Sequence, residues 1–466
     1  MRPMNRRIYS GAKPDAIARD LKPLLDFGEE GLPLEVLKRL IDERLVPHLA
    51  DYGLPSFHSF FNSAPEAGAE LGAAIALRHN QGVTNWQVSP GGAVLEELCG
   101  QALCRLFGFP ETAEATFLYS GTYANQQALY MALHRKAEDC GFDLAAKGIR
   151  GFRKPESLAV AVSDQAHFSV RHAVRTLGLG EESLLRIPVD GRQRMDVEIL
   201  EEILSNRRIR ENVFAVVATT GTTSTGAVDP AGSIIDVCEG TRTWVHVDGA
   251  YGLAYALVPE FAPLFEGFSR ADSVSWDPHK QLGVPIPNSV LFVKHREHFR
   301  RMAIYGEYFN RQDDPYPNPG LKSAPSTRPL SALALAASLR HQGIAGIRER
   351  LRAPLAAVKA FAEELAGAPD VELCHRPDTG ILCLRLVPEE FPRERLDALQ
   401  LYIYNRMQAG GERSVSITRV DGRAVLRFVA ISPAVTADSL LESVEAARAI
   451  AKDFPLSRAG SDSRAS

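Results

Sequence analysis

The sequence predicts an α/β protein with a mostly parallel central sheet covered by helices, followed by a smaller C-terminal α+β domain. Short β-branched and apolar runs alternate with stretches in which apolar residues recur every three or four positions, and Gly, Pro, Asp or Asn bounds each run. The chain has 466 residues, of which 45% are hydrophobic and 24% are charged. This is the composition of a globular protein with a large core.

The central sheet is predicted to contain five or six strands. The candidate strands are residues 116–119, 157–163, 213–220, 243–247, 271–276 and 288–293. The first of them leads through a Ser-Gly-Thr turn into a helical pattern over residues 123–139. Strand, turn and helix in this order are typical of a parallel α/β unit.

The chain divides into four predicted segments. Five prolines between residues 315 and 329 end the sheet region, because proline lacks the amide group that helices and sheets use. The predicted segments are an N-terminal helical segment at 1–85, a large α/β domain at 86–330, a small α+β domain at 331–456 and a disordered tail at 457–466.

Charge, hydropathy and cysteine content exclude several classes of protein. With 53 basic and 57 acidic residues, the chain has no basic excess, so nucleic acid is not expected as a partner. The apolar stretch 329–339 is shorter than the about 20 residues of a transmembrane helix, so no membrane partner is expected. Six cysteines without a CxxC pair, and a start without an apolar signal run, predict a cytoplasmic protein with reduced thiols. No metal site is expected, because His295 and His298 lie in a basic segment that fits a solvated helix.

A lysine follows the strand predicted at 271–276. Lys280 stands beside His279 at the carboxyl edge of the sheet, where open α/β sheets bind ligands. Apolar neighbours at this position would favour the neutral amine, which forms a Schiff base with an aldehyde. Lys280 alone also fits a structural role, since most lysines are solvated surface charges.

A carboxylate ends the strand predicted before it. Asp248 is followed by the small residues Gly249 and Ala250. A buried carboxylate requires a cationic or hydrogen-bonding partner. The protonated ring nitrogen of pyridoxal phosphate is one such partner, and the small residues leave room for its flat ring. Asp248 also fits the role of a helix cap.

Other strand ends carry groups that suit the same ligand. Gly121 and Thr122 begin a helix whose free amides suit a phosphate, although they also make an ordinary turn and cap. His167 can stack on a ring, or it can be structural. Thr223 and Asp229 lie in a hydroxyl-rich turn whose default interpretation is a loop. No GxGxxG after a strand, and no GxxxxGK[ST], GxSxG or HExxH pattern, indicates a competing function.

These residues resemble those of the group II pyridoxal-phosphate-dependent amino-acid decarboxylases, which have the aspartate-aminotransferase-like fold type I. The likeness runs from SFHSFFNSAPEAG and NWQVSPGGAVLEEL through FLYSGTYANQQAL, SDQAHFSVRHAV, TTGTTSTGAVDP, HVDGAYG and ADSVSWDPHKQLGVP to RVDGRAVLRFVAISPAVT. HVD-x-A-Y-G together with DPHK is its most specific part. The resemblance implies pyridoxal 5'-phosphate as cofactor, decarboxylation of an L-amino acid to an amine and carbon dioxide, and a homodimer with the active site at the subunit interface.

The resemblance also implies roles for individual residues. Lys280 would hold the cofactor, His167 would stack on its ring, and Tyr316 would protonate the substrate carbon after carbon dioxide leaves. The residues implied to bind the cofactor are Gly121, Thr122, His167, Thr223, Asp229, Asp248, Ala250, His279, Lys280, Ser326 and Thr327. The last two would reach the phosphate from the neighbouring subunit, on which segment 1–85 would pack.

The substrate is not identified by the sequence. Tyr123, Gly249 and Gln281 depart from the residues common in the family, and Gln281 directly follows the predicted catalytic lysine. Phe57, His58, Phe60 and Phe61 fit a substrate pocket or ordinary core packing.

Two alternatives to decarboxylation remain open at this stage. The first keeps the cofactor and changes the bond broken, as in β-elimination, oxidative deamination to an aldehyde, or transamination. The second is a non-catalytic α/β protein that binds another anion or serves in an assembly. Identification of the products distinguishes decarboxylation from the other reactions of the cofactor. A test for cofactor binding distinguishes an enzyme from the non-catalytic protein.

Overall fold

The computed structural model describes residues 7–306, 310–313 and 315–455. The tail predicted at 457–466 lies outside the described residues. The chain forms two compact units, a smaller one within Met1–Phe60, Ala353–Arg376 and Gly380–Ser466 and a larger one within Phe61–Arg352 and Pro377–Thr379. The predicted boundaries at residues 85 and 330 separate segments by their expected roles in the assembled enzyme. These boundaries stay a prediction.

The strands of the described chain belong to two sheets. They are β1 (Phe57–His58), β2 (Glu114–Leu118), β3 (Ala159–Ser163), β4 (Leu184–Ile187), β5 (Val213–Thr219), β6 (Trp244–Asp248), β7 (Ser273–Trp276), β8 (Ser289–Val293), β9 (Val371–Leu373), β10 (Ile381–Leu386), β11 (Ser414–Val420) and β12 (Arg423–Val429).

The α-helices of the described chain are α1 (Pro14–Leu21), α2 (Leu34–Arg44), α3 (Ala67–His79), α4 (Pro90–Leu106), α5 (Gly121–Asp139), α6 (Leu144–Lys147), α7 (Phe168–Thr176), α8 (Val197–Ser205), α9 (Arg207–Arg210), α10 (Ala231–Cys238), α11 (Ser331–Leu365), α12 (Leu396–Gly410) and α13 (Ala437–Lys452). Helix α11 is interrupted at Gly343, where φ is +64° and the helical backbone breaks. Among the described residues, no helix combines the length and the apolar character that crossing a bilayer requires.

The large unit contains a seven-stranded sheet in the order β2-β8-β7-β6-β5-β3-β4. Strands β7, β6, β5, β3 and β4 pair in parallel, whereas β8 runs antiparallel to both β7 and β2. All residues of β5 and β6 are buried, as expected for strands covered on both faces. The predicted fold class is therefore confirmed.

Two details of this unit differ from the sequence-based expectation. Strand β4 was not predicted, because only Ile187 of its residues is buried and the apolar signal is weak. The segment predicted as a solvated basic helix is instead a 3₁₀ helix at Arg296–Met302 that buries His298 and Phe299. The sequence pattern identified the charged side chains of this segment but not its packed face.

Helix α5 packs on the sheet and begins at the predicted turn. The Ser120 hydroxyl accepts a hydrogen bond from the Tyr123 amide at 3.2 Å and caps the helix. One face of α5 is buried, and this face includes Ala124 and Ala128 but also the polar residue Asn125. The helix therefore brings an amide side chain into the core below the carboxyl edge of the sheet.

The small unit contains a five-stranded sheet in the order β1-β11-β12-β10-β9. Its core includes Phe361 and Phe428, packed with apolar residues of α12 and α13. Strand β1 pairs in parallel with β11, so Phe57 and His58 are buried here. This confirms the predicted C-terminal α+β unit and assigns these two residues to core packing.

Candidate active site

The predicted site residues meet where the central parallel strands end. Asp248 is the last residue of β6, and it is in register with Ser275 of β7 on one side and Thr219 of β5 on the other. Lys280 lies in the turn that follows β7. Asp248 and Lys280 therefore lie at one edge of the sheet, on neighbouring strands, as the order of the motifs predicts.

Lys280 has a charged neighbour that the sequence argument did not anticipate. Its Nζ atom lies 3.2 Å from Oδ2 of Asp277 and 5.3 Å from the ring centre of Phe61. The Ser63 hydroxyl donates to the Lys280 carbonyl at 2.8 Å and fixes the backbone of the turn. The surroundings of Lys280 therefore combine the apolar ring of Phe61 with a carboxylate from the same turn.

Asp277 joins this turn to the start of α5. Its carboxylate is buried, accepts a hydrogen bond from the Ser289 hydroxyl at 2.6 Å and lies 3.6 Å from Nε2 of His279. A Cβ atom added at Gly121 would lie 2.8 Å from Asp277 Oδ2 and 3.0 Å from the Ala250 Cβ. Only glycine fits at this position without displacing a neighbour. The start of α5, the turn after β6 and the turn after β7 therefore meet here.

His279 is also held within this turn. Its Nδ1 atom lies 2.5 Å from the carbonyl oxygen of Asn288, and burial lowers the pKa of its imidazole. The ring is therefore oriented by the backbone beside Lys280, and its predicted contact with the cofactor phosphate stays a prediction.

Asp248 is buried among hydrogen-bond donors. Its Oδ2 atom accepts from Asn125 Nδ2 at 2.7 Å, its Oδ1 atom accepts from the Ala250 amide at 3.1 Å, and the Ser275 hydroxyl oxygen lies 3.4 Å from Oδ1. The next helical segment begins at Gly252, and Asp248 does not cap it. The helix-cap alternative is therefore wrong, and the carboxylate is instead held by donors from α5 and from the turn after β6.

His167 caps a helix and also lies near Asp248 and Lys280. Its Nδ1 atom accepts from the Ser169 amide at 3.2 Å, which caps α7. Burial lowers the pKa of the imidazole, while the charges of Asp248 and Lys280 act on it in opposite directions. The neutral ring therefore lies within electrostatic range of both predicted catalytic groups.

In this structure the Asp229 carboxylate accepts hydrogen bonds from backbone amides. Its two carboxylate oxygens each accept an amide hydrogen bond at 2.7 Å, one from Met195 and one from Thr219. Complete burial raises the pKa of Asp229 to about 7 despite these bonds. Asp229 thus holds the turn containing the half-buried Thr223 against β5, and direct contact of either residue with a cofactor stays a prediction.

The predicted segment from the neighbouring subunit is exposed and well anchored. The side chains of Ser326 and Thr327 are exposed, while their carbonyl oxygens accept hydrogen bonds from the hydroxyls of Thr84 and Tyr119. The next residue, Arg328, is buried and pairs with the carboxylate of Glu96. Both side chains are therefore exposed, and their predicted contact with the cofactor of a neighbouring subunit stays a prediction.

Tyr316 is half exposed and stacks on Trp86, with ring centres 4.9 Å apart and an interplanar angle of 14°. The structure therefore brings Asp248 and Lys280 together at the sheet edge. The contacts of Tyr316, Ser326 and Thr327 with a cofactor stay predictions.

Two residues of the site were missed or given no role by the sequence argument. Asn125 contacts Asp248, and its only signal is a polar residue on the apolar face of a helical pattern. Asp277 belongs to the DPHK motif, but nothing in the motif shows that it faces Lys280. Gln281, noted as a departure from the family, is buried and donates to the Tyr251 carbonyl.

The parallel sheet and the lysine and carboxylate at its edge define a fold type I enzyme that uses pyridoxal phosphate. The model of the pyridoxal-dependent decarboxylase conserved domain matches residues 19–387. The chain belongs to this family and is a pyridoxal-phosphate-dependent amino-acid decarboxylase. The non-catalytic alternative is thereby set aside.

Several characterised proteins are similar to the chain over most of its length. An L-2,4-diaminobutyrate decarboxylase of Rhizobium meliloti is 29% identical, covering 97% of this chain and 93% of that protein. A cysteine sulfinic acid decarboxylase of Rattus norvegicus is 30% identical, covering 79% and 75%. The structure of Oryza sativa TDC with PLP and tryptamine is 25% identical, with a TM-score of 0.85 and coverage of 96% and 93%. The predicted family, fold, cofactor and reaction are confirmed.

Proposed function

We propose that Lys280 is the residue that binds the aldehyde of pyridoxal phosphate and that Asp248 pairs with the ring nitrogen. The observation that carries this assignment is that both residues lie at the carboxyl edge of neighbouring parallel strands, with Asp248 in register with Ser275 of β7. The Asp248 carboxylate is buried and accepts hydrogen bonds from Asn125 and Ala250, and the amine of Lys280 lies in a turn of the same edge. An amine and a carboxylate so placed suit an aldehyde at one end of a ring and a cationic nitrogen at the other.

The residues around this edge fit the size and charge of the cofactor. The start of α5 provides unpaired amides at Gly121 and Thr122 for a phosphate, as any helix start does. Ala250 has a small side chain in contact distance of the Gly121 position, which leaves space for a flat ring. The neutral imidazole of His167 suits stacking on that ring.

When bound, pyridoxal phosphate acts as an electron sink for the charge that remains as carbon dioxide leaves. The chain's own residues prepare this chemistry. Asp248 holds a proton on the ring nitrogen, His167 orients the ring, and Gly121, Thr122 and His279 hold the phosphate. Thr223 and Asp229 support the ring through the turn after β5. Tyr316 then supplies a proton to the substrate carbon, which directs the reaction to the amine.

The enzyme acts as a homodimer in this proposal, with Ser326 and Thr327 completing the phosphate site of the partner. Support comes from apolar side chains that the N-terminal helices leave exposed. Helices α1 and α2 bury none of their residues, and Phe27 and Leu34 are 87% and 76% exposed. In α3, Leu77 is 81% exposed. Apolar faces of this kind require a covering surface, and a second copy of segment 1–85 is the one we propose.

We further propose that the dimer acts on a free amino acid in the cytoplasm. All six cysteines are free thiols, which suits a reducing compartment. The relatives carry the names of decarboxylases for 2,4-diaminobutyrate, aromatic amino acids and cysteine sulfinate. These three classes define the panel of substrates to be assayed for carbon dioxide release.

Borohydride reduction of the protein loaded with pyridoxal phosphate, followed by peptide mass spectrometry, tests the assignment. The expected result is a single reduced adduct on Lys280, which Lys280→Ala eliminates together with turnover. An adduct on another lysine, or full activity of Lys280→Ala, contradicts the assignment. Sedimentation of the loaded enzyme tests the dimer, and a monomer with full activity contradicts it.

A further inference from the structure

A row of buried polar side chains lies behind Asp248, between α5 and the sheet. Trp244 Nε1 lies 2.8 Å from Ser273 Oγ, which lies 2.8 Å from His246 Nδ1. His246 Nε2 lies 2.9 Å from Asn125 Oδ1, and Asn125 Nδ2 lies 2.7 Å from Asp248 Oδ2. Each of the five side chains is at most 4% exposed. The row is therefore sealed from solvent and ends on the carboxylate proposed for the ring nitrogen.

The sheet geometry builds this row. Trp244, His246 and Asp248 are alternate residues of β6, so their side chains lie on one face of the sheet. On β7, Ser273 is in register with His246. Helix α5 then inserts Asn125 between His246 and Asp248. Strand alternation and helix packing thus place every member within hydrogen-bonding distance of the next.

Both ends of the row impose the same direction on its hydrogen bonds. At one end, the Asp248 carboxylate accepts from the amide nitrogen of Asn125, so the amide oxygen of Asn125 faces His246. His246 then carries its proton on Nε2 and accepts at Nδ1. At the other end, the Trp244 indole only donates, so Ser273 accepts from it and donates to His246. All the donors point toward Asp248.

His246 is neutral in this arrangement, since complete burial lowers its pKa to about 4. A neutral imidazole carries one donor and one acceptor, which the row requires. Asn125 is held by further bonds, because its Oδ1 also accepts from Ser275 at 2.9 Å and its Nδ2 also donates to Ser169 at 2.9 Å. Rotation of the amide would break all of these bonds at once.

We infer that His246 and Asn125 are positioning residues that hold the Asp248 carboxylate oriented toward the cofactor's ring nitrogen. Neither residue touches the reacting atoms. Asn125 Nδ2 and the Ala250 amide both donate to the carboxylate, so its oxygens are presented to the ring nitrogen as acceptors. The inference rests on the proposed function, since it assumes that Asp248 meets this nitrogen.

Binding of two cofactors to Asn125→Leu and His246→Phe tests the inference. One cofactor is pyridoxal phosphate, and the other is its analogue with carbon in place of the ring nitrogen. We expect each variant to lose about tenfold in affinity for pyridoxal phosphate, while its affinity for the analogue stays within about twofold of the unmodified protein's. Equal losses for both cofactors would overturn the inference, because they would indicate a general packing defect.

Activity and spectra of the loaded enzymes give a second measurement. We expect kcat to fall about tenfold or more with KM changed less than threefold, and the visible absorption band of the bound cofactor to shift. His246→Gln retains a donor toward Asn125 and is expected to recover most of kcat. His134→Phe, another buried histidine change in the same unit, serves as the control and is expected to leave kcat and spectrum unchanged. Unchanged kcat and spectrum in both row variants would overturn the inference.

The two proposals fail in different ways. If borohydride labels Lys280 in the unmodified protein and in all variants, the assignment of the lysine is supported. The variant data then test only the roles of His246 and Asn125. If Lys280 is not labelled in the unmodified protein, the proposed function fails first, and the inference falls with it. Melting temperatures of the cofactor-free variants show whether each variant is folded. If His246→Phe does not fold, His246→Gln is measured in its place.

Discussion

Lys280 Nζ lies 3.2 Å from the carboxylate of Asp277, three residues earlier in the same turn. An amine held in this ion pair must leave it before it can attack an aldehyde. Asp277→Asn removes the ion pair and is therefore expected to raise the rate of cofactor capture about threefold to tenfold. Stopped-flow absorbance measures this rate. A slower capture at every pH would show that Asp277 assists the lysine instead.

Gly121 lies where a side chain would collide with Asp277 and Ala250. Gly121→Ala is expected to weaken the affinity for pyridoxal phosphate about tenfold or more, because the start of α5 or the carboxylate must shift. Gly91→Ala is the matched control, since Gly91 also lies near the start of a helix but has open space around its Cβ position. Fluorescence titration of the cofactor-free proteins measures both affinities. Equal affinities would show that this glycine does not shape the site.

The buried pair of Arg328 and Glu96 anchors the segment that carries Ser326 and Thr327. Arg328→Leu leaves a buried carboxylate without its cation, so we expect a loss of about 3 to 5 kcal/mol in the free energy of unfolding. Arg207→Leu breaks the exposed pair with Glu211 and is expected to leave the free energy of unfolding nearly unchanged. Urea unfolding compares the two variants. Similar losses of unfolding free energy in the two variants would contradict the expectation that a buried ion pair contributes more than an exposed one.

Tyr316 is the predicted proton donor. Tyr316→Phe keeps the ring that stacks on Trp86 but removes the hydroxyl, so we expect amine formation to fall about 10²-fold while cofactor affinity is kept. Tyr305→Phe changes another exposed tyrosine and is expected to retain activity within about twofold. Chromatography of amine, aldehyde and keto acid products measures the outcome. Undiminished amine formation by Tyr316→Phe would remove this residue from the mechanism.

His58 is buried in the small unit, where desolvation lowers its pKa to about 3 from an ordinary value of 6.5. The folded protein therefore holds the neutral imidazole, whereas the unfolded chain takes up a proton below pH 6.5. Stability from this group is complete above pH 6.5 and is lost at about 1.4 kcal/mol per pH unit as the pH falls toward 3.

His58→Gln is expected to reduce the slope of unfolding free energy against pH by that amount between pH 6 and 4.5. Urea unfolding at several pH values measures the slope, and the exposed residue change His79→Gln is the control. An unchanged slope in His58→Gln would mean that His58 becomes protonated without unfolding.

The sequence determined the fold class and the centre of the site because their signals are local. Alternating strand and helix patterns predict a parallel sheet, and the carboxyl ends of its strands must share an edge. Asp248 and Lys280 follow two such strands directly, so their proximity could be predicted without any distance. Gly121 is similar, since the end of a strand and the start of a helix are visible in a few consecutive residues.

Only the tertiary structure decided which partners these groups have. Asn125 reaches Asp248 across 123 positions of sequence, and Asp277 turns toward Lys280 although the motif is equally compatible with other orientations. The antiparallel direction of β8 and the weakly buried strand β4 were likewise not predictable. Periodicity records which face of an element is buried, but the hydrogen bonds between buried polar groups depend on how separate elements pack, and no local pattern encodes that geometry.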